Sequence, residues 1–170
     1  FIAYYPHPKS CIYKLNSRND IYEVRDQKVK YAKAVLTGAS KQAAIEAAEL
    51  EKDATLYRCH FEFPASLSLY INDKQIDAIK DGMTYNSLQV QYESLVDMVP
   101  SLTEEEKKQI YAWYKEAREF SMDAENSDKK HAAFNKYKGR INNYLTKRGY
   151  DLVKERNEWY KRLKAAGKKI

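Results

Sequence analysis

Apolar residues recur along this chain at helical spacing, and the breaks between the recurring stretches carry cap and turn residues. Residues 1–9, with Pro6, His7 and Pro8, read as an extended lead-in. Ile12, Leu15, Val24, Val29, Ala32, Val35 and Leu36 outline a first helix over about 10–36. Gly38 is expected to end it, and Ser40 to cap a second helix over about 41–63. Ala43, Ala44, Ala47, Ala48 and Ala54 allow close packing along that helix, and Pro64 predicts a kink or a break. Asn72 with Gln75 resembles a capping box that opens a short helix to about residue 80. Asp81-Gly82 predicts a turn, and a helix over about 87–98 precedes Pro100. Thr103 with Glu106 is a second capping box, opening a helix to about 124. Asn126-Ser127 caps a helix to about 147, Gly149 stops it, and Asp151 starts a last helix rich in Lys and Arg. The pattern predicts an all-α fold: one domain over residues 1–170, an antiparallel bundle of about six to seven helices.

Composition narrows this further. Only 5 glycines and 4 prolines occur in 170 residues, and none of the prolines lies beyond Pro100, which argues against a turn-rich all-β fold. No apolar run approaches the roughly 18–20 residues that span a bilayer. Phe1 stands where an initiator methionine would, and no signal peptide is recognisable, which fits a trimmed product.

The net charge is +6, unevenly spread. Residues 1–85 hold 12 basic and 11 acidic side chains, residues 86–124 hold 4 and 8, and residues 125–170 hold 14 and 5. A basic C-terminal end suits nucleic acid, an anionic surface or an acidic polymer, and equally suits an acidic neighbouring helix. Residues 86–124 supply such a neighbour. No helix-turn-helix or RNA-recognition signature supports nucleic acid as a partner. In a hairpin turning near Gly38, Cys11 faces residue 66, roughly 10 Å along the helix from Cys59, so a disulfide between them is not expected.

The chemistry-bearing signatures are sparse. His7, His60 and His131 lack metal-ligand spacing, and no nucleophile elbow, P-loop or dinucleotide fingerprint occurs, so neither metal nor cofactor is expected. Glu116 and Asp123, seven residues apart on one helix, stand about 10.5 Å apart along the axis, wide for paired catalytic carboxylates. No catalytic residue is assigned, and the sequence points away from an enzyme.

The helix over about 127–147 is more informative. Phe134, Ile141 and Leu145 share one stripe, Tyr137 and Tyr144 flank it, and Lys136, Arg140, Asn143 and Lys147 follow beyond. Trp113 and Phe120 take the equivalent margin on the preceding helix, with Glu116 and Asp123 outside them. Rings beside hydrogen-bond donors can stack on and bond a sugar, which makes Trp113, Lys136, Tyr137, Arg140, Asn143 and Tyr144 candidate ligand-binding residues. The same residues can instead zip two helices together through an aromatic seam edged by ion pairs. Gly139 sits inside this helix at a cost of roughly 0.5–1 kcal/mol, which predicts close approach by the last helix, the Tyr85 segment or a ligand.

Several strings carry a resemblance: Lys80-Asp81-Gly82-Met83-Thr84-Tyr85, Leu102-Thr103-Glu104-Glu105 through Trp113, Glu116-Ala117-Arg118-Glu119, Met122-Asp123-Ala124, Lys130-His131, Phe134 to Leu145, and Gly149-Tyr150-Asp151-Leu152. Together they resemble the bacterial family of unknown function numbered 3826, best over residues 75–155. Asn86, Glu125 and Asn135 stand where that family usually has Gly. The resemblance implies an exported, periplasmic or cell-surface helical protein of a polysaccharide-utilisation system. It also implies sugar binding without an assigned catalytic residue, with a glycan and an outer-membrane or periplasmic protein as partners; the basic rim of Lys136, Arg140 and Lys147 favours an acidic glycan. A rival expectation comes from Leu102-Thr103-Glu104-Glu105-Glu106, which is similar to the boxes of small periplasmic helical chaperones of the Spy and CpxP type.

Overall fold

The computed structural model describes the backbone of residues 8–167 and the side chains of residues 18–167. The described residues form seven α-helices and no strand: α1 Pro8–Val35, α2 Gly38–Leu67, α3 Asp73–Met83, α4 Ser87–Met98, α5 Glu104–Met122, α6 Ser127–Lys147 and α7 Leu152–Ala165. The all-α expectation holds. The chain divides into two compact units, residues 1–77 and 78–170.

In the first unit α1 and α2 form an antiparallel hairpin, held by Arg25 to Glu49 at 3.1 Å and by an ion pair between Lys28 and Glu51. Ala32, Ala48 and Leu56 are buried within the unit. Of the apolar positions that outlined α1, Ala32 is buried whereas Val24 and Val35 are exposed; the side chains of Ile12 and Leu15 lie outside the described residues. Residues 1–7 of the expected lead-in also lie outside them, whereas Pro8 and Lys9 are already helical. A proline in the first helical turn gives up an N–H that has no partner there anyway. Thr37, not Ser40, takes the N-cap position of α2, and Gly38 at φ +55° begins the helix. Pro64 does not end α2, which runs on to Leu67. The missing N–H costs one hydrogen bond a single turn from the helix end, and the Pro64 carbonyl still accepts from Ser68 N–H at 2.9 Å. Cys59 is free and half-buried; the side chain of Cys11 is outside the described residues.

α3 opens on the predicted capping box. Asn72 N–H donates to Gln75 Oε1 at 3.1 Å, and Gln75 N–H to Asn72 Oδ1 at 3.0 Å. The following turn falls at Thr84–Asn86, not at Asp81-Gly82, which remain helical. Asn86 N–H reaches the Asp81 carbonyl at 2.8 Å and Tyr85 N–H the Gly82 carbonyl at 3.3 Å, a Schellman closure. It places Tyr85 at φ +58° and Asn86 at φ +54°, in the left-handed region. That backbone favours glycine at position 86, and asparagine is among the few other residues that tolerate it.

In the second unit α4 packs on α5, α5 on α6, α6 on α7 and α7 on α4, so the four helices close a ring. Leu88, Leu95, Val99, Ile110, Tyr114, Phe134, Ile141 and Leu145 fill its centre. The expected stripe of Phe134, Ile141 and Leu145 is therefore core. α7 is tied to the C-terminal end of α4: Trp159 Nε1 donates to Asp97 Oδ2 at 2.6 Å, and Arg162 to the Asp97 carbonyl at 2.7 Å. A cation on those last carbonyls is favoured by the helix dipole.

Candidate functional site

Every residue singled out for ligand binding lines one open groove beside the α5–α6 seam. Its walls are Trp113, Lys136, Tyr137, Gly139, Arg140, Asn143, Tyr144 and Lys147, and its volume is about 720 Å³. Helical periodicity puts the α6 residues on one side, and the antiparallel pairing of α5 brings Trp113 against them.

The aromatic residues are partly spent on holding the helices together. Trp113 meets Tyr144 edge-on at 5.0 Å between ring centres, and Phe120 stacks on Tyr137 at 6.2 Å. The Arg140 guanidinium lies 4.7 Å from the Trp113 ring centre and 3.5 Å from Glu116. Burial raises the Tyr137 hydroxyl to about 12, helped by its hydrogen bond to the Glu116 carboxylate. Glu116 thus belongs to the seam rather than to a catalytic pair with Asp123, the residue that caps α5 at its C-terminal end. The seam reading describes these four rings and their flanking ion pair.

The polar rim is a different matter. Lys136, Asn143 and Lys147 are exposed, and their side chains make no hydrogen bond or ion pair with other described residues. With Arg140 they set three cations around the groove against one carboxylate, Glu116. Gly139 is exposed, and a methyl group built on it would meet nothing within 4 Å. The expected packing of the last helix or the Tyr85 segment against Gly139 is not found. α7 docks on α4, and Tyr85 stacks on His131 at 5.7 Å. What lies beside Gly139 is the groove.

Two polar clusters escaped the sequence reading. Arg118, only 2% exposed, donates to Asp81 at 2.8 Å and Glu119 at 3.0 Å, and Lys80 pairs with Glu119 at 2.8 Å. Lys130 Nζ donates to the Met83 carbonyl at 2.7 Å beside the Tyr85 ring. These contacts unite the Lys80-Asp81, Arg118-Glu119 and Lys130-His131 strings around the Thr84–Asn86 turn. The second cluster centres on Glu106, 2% exposed, which accepts from Arg148 Nε at 2.6 Å, Tyr150 hydroxyl at 2.7 Å and Thr103 N–H at 2.9 Å. Burial alone would raise its carboxyl; the three donors outweigh it and hold the group at about 2. The Thr103–Glu106 capping box pointed to Glu106 without its partners Arg148 and Tyr150, and no charge run marked the Arg118 cluster, whose cation sits within the acidic stretch.

A family model described as a protein of unknown function, DUF3826, matches residues 9–165. The chain belongs to that family. No curated protein matches the chain. Among the described residues no group of three or more His, Cys, Asp or Glu is placed to hold a metal ion, and no helix is long and apolar enough to cross a membrane. His7, one of the three scattered histidines, lies outside the described residues. A smaller groove of about 220 Å³ between α1 and α2 is lined by Arg25, Lys28, Glu51 and Lys52, cations and an acid engaged in ion pairs along the hairpin.

Proposed function

We propose that this family member binds carbohydrate without transforming it, and that the α5–α6 groove takes an acidic sugar such as a uronate. The observation that carries the reading is the set of exposed donors, Lys136, Asn143 and Lys147, whose side chains have no partner among the described residues, around a groove that Tyr144 and Trp113 also line. Charge at the rim selects an anion, and the half-buried rings favour the flat apolar face of a pyranose. Export to the periplasm or cell surface in a polysaccharide-utilisation system is part of the same proposal.

Titration calorimetry with oligogalacturonate and with a neutral oligosaccharide of equal length tests it. Binding of the acidic ligand alone is expected, weakening as salt screens the rim. Lys136→Ala with Lys147→Ala should abolish it without altering helicity, since both side chains are exposed. Absence of binding to any acidic or neutral oligosaccharide at millimolar concentration refutes the reading. If the protein then suppresses aggregation of a denatured client, the chaperone expectation replaces it.

A further inference from the structure

α2 carries two apolar seams, and α1 uses one. Ala48, Lys52 and Leu56 mark the side turned into the hairpin. Roughly half a helical turn away, Ala43, Ala47, Leu50, Ala54, Tyr57 and Phe61 follow at spacings of four, three, four, three and four residues. That is the repeat of a coiled-coil seam. All six are exposed, with Leu50 at 69%, Tyr57 at 70% and Phe61 at 57%.

The order of sizes along this stripe identifies its occupant. Laid antiparallel on itself about a two-fold axis between Leu50 and Ala54, the stripe sets Phe61 opposite Ala43 of the second copy. Tyr57 then meets Ala47, and Leu50 meets Ala54, so every large side chain faces an alanine. A parallel, in-register pair would instead oppose Leu50 to Leu50, Tyr57 to Tyr57 and Phe61 to Phe61, and leave alanine facing alanine across voids that close packing disfavours. Charge does not oppose the antiparallel pairing. The carboxylates nearest the axis, Glu51 and Asp53, are already paired with Lys28 and Lys52 of their own chain. The stripe offers on the order of 500 Å² per copy, or about 1,000 Å² across a pair, at the lower bound of a specific interface. We propose that the outer face of α2 is a self-association surface that takes a second copy of this chain, antiparallel, with residue 43 against residue 61.

The full chain, with Cys11→Ser and Cys59→Ser, carries the register test. Ala43→Cys and Phe61→Cys proteins are oxidised with diamide separately and as an equimolar mixture. A disulfide joining residue 43 to residue 61 in the mixture alone is the expected product. Links formed within each separate protein indicate parallel pairing and overturn the proposal. Sedimentation equilibrium on the unsubstituted protein gives an independent reading. At about 100 µM a micromolar Kd leaves mostly dimer, so a monomer at that concentration overturns the proposal. Leu50→Lys should weaken association at least tenfold at unchanged helical circular dichroism; association that survives it means that another surface is used.

Discussion

Replacing Glu106 by Gln should remove a pH-dependent part of this protein's stability. The carboxylate satisfies three donors at once, and a glutamine side chain presents one acceptor oxygen and turns an amide toward Arg148 or Tyr150. Losing one charge-assisted hydrogen bond in a buried setting costs roughly 1.5–3 kcal/mol. The titration gives a consistent size. A carboxyl at about 2 in the folded state and 4.5 in the unfolded one contributes up to about 3 kcal/mol at neutral pH, and about 2 kcal/mol once the half-exposed Arg148 is allowed for. Because the folded value is the lower one, this stability is fully present above pH 4.5 and is lost as pH falls through 2. Both tryptophans, Trp113 and Trp159, lie in the second unit, so fluorescence-detected urea unfolding reports on the bundle that contains Glu106. The difference between the native protein and Glu106→Gln should be about 2–3 kcal/mol at pH 7 and shrink steadily between pH 4.5 and pH 2. A difference under about 0.5 kcal/mol at pH 7, or one constant with pH, refutes the argument that the ionised carboxylate ties α5 to the end of α6.

Gly139→Ala should stabilise the bundle by about 0.5–1 kcal/mol in urea unfolding, because the backbone is helical and the new methyl group meets nothing; a sugar lying against that spot would bind more weakly to the variant in calorimetry. Arg118→Met should cost about 3–5 kcal/mol by the same fluorescence assay, since it strips Asp81 and Glu119 of a nearly fully buried cation. Asn86→Ala should cost about 1 kcal/mol, the penalty for an ordinary side chain at φ +54°, while Asn86→Gly should fall within a few tenths of the native value in thermal melts.

Helix ends were readable from sequence wherever the deciding contact spans three residues. Asn72 with Gln75, Thr103 with Glu106, Asn126 and Asp151 each cap a helix where expected, because donor and acceptor are neighbours in the chain. The core stripe of Phe134, Ile141 and Leu145 was readable for a related reason: helical geometry alone puts those residues on one face. The grouping of Lys136, Tyr137, Arg140, Asn143 and Tyr144 along the groove follows from the same periodicity.

Only the tertiary structure decided the rest. Which acid meets which base depends on contacts across tens of residues, as with Glu106 and Arg148, 42 apart, or Asp81 and Arg118, 37 apart. Local pattern assigns charges to faces and leaves their partners open. Pro64 and Gly82 read as breakers, yet α2 runs through the first and α3 through the second. A Schellman closure three residues beyond Gly82 sets that turn, at Tyr85 and Asn86. The alanines of α2 looked like one close-packing set, and the fold divides them: Ala48 turns into the hairpin while Ala43, Ala47 and Ala54 stay outside. Periodicity places residues around a helix axis. Which side of the axis becomes the inside is settled only when another helix arrives.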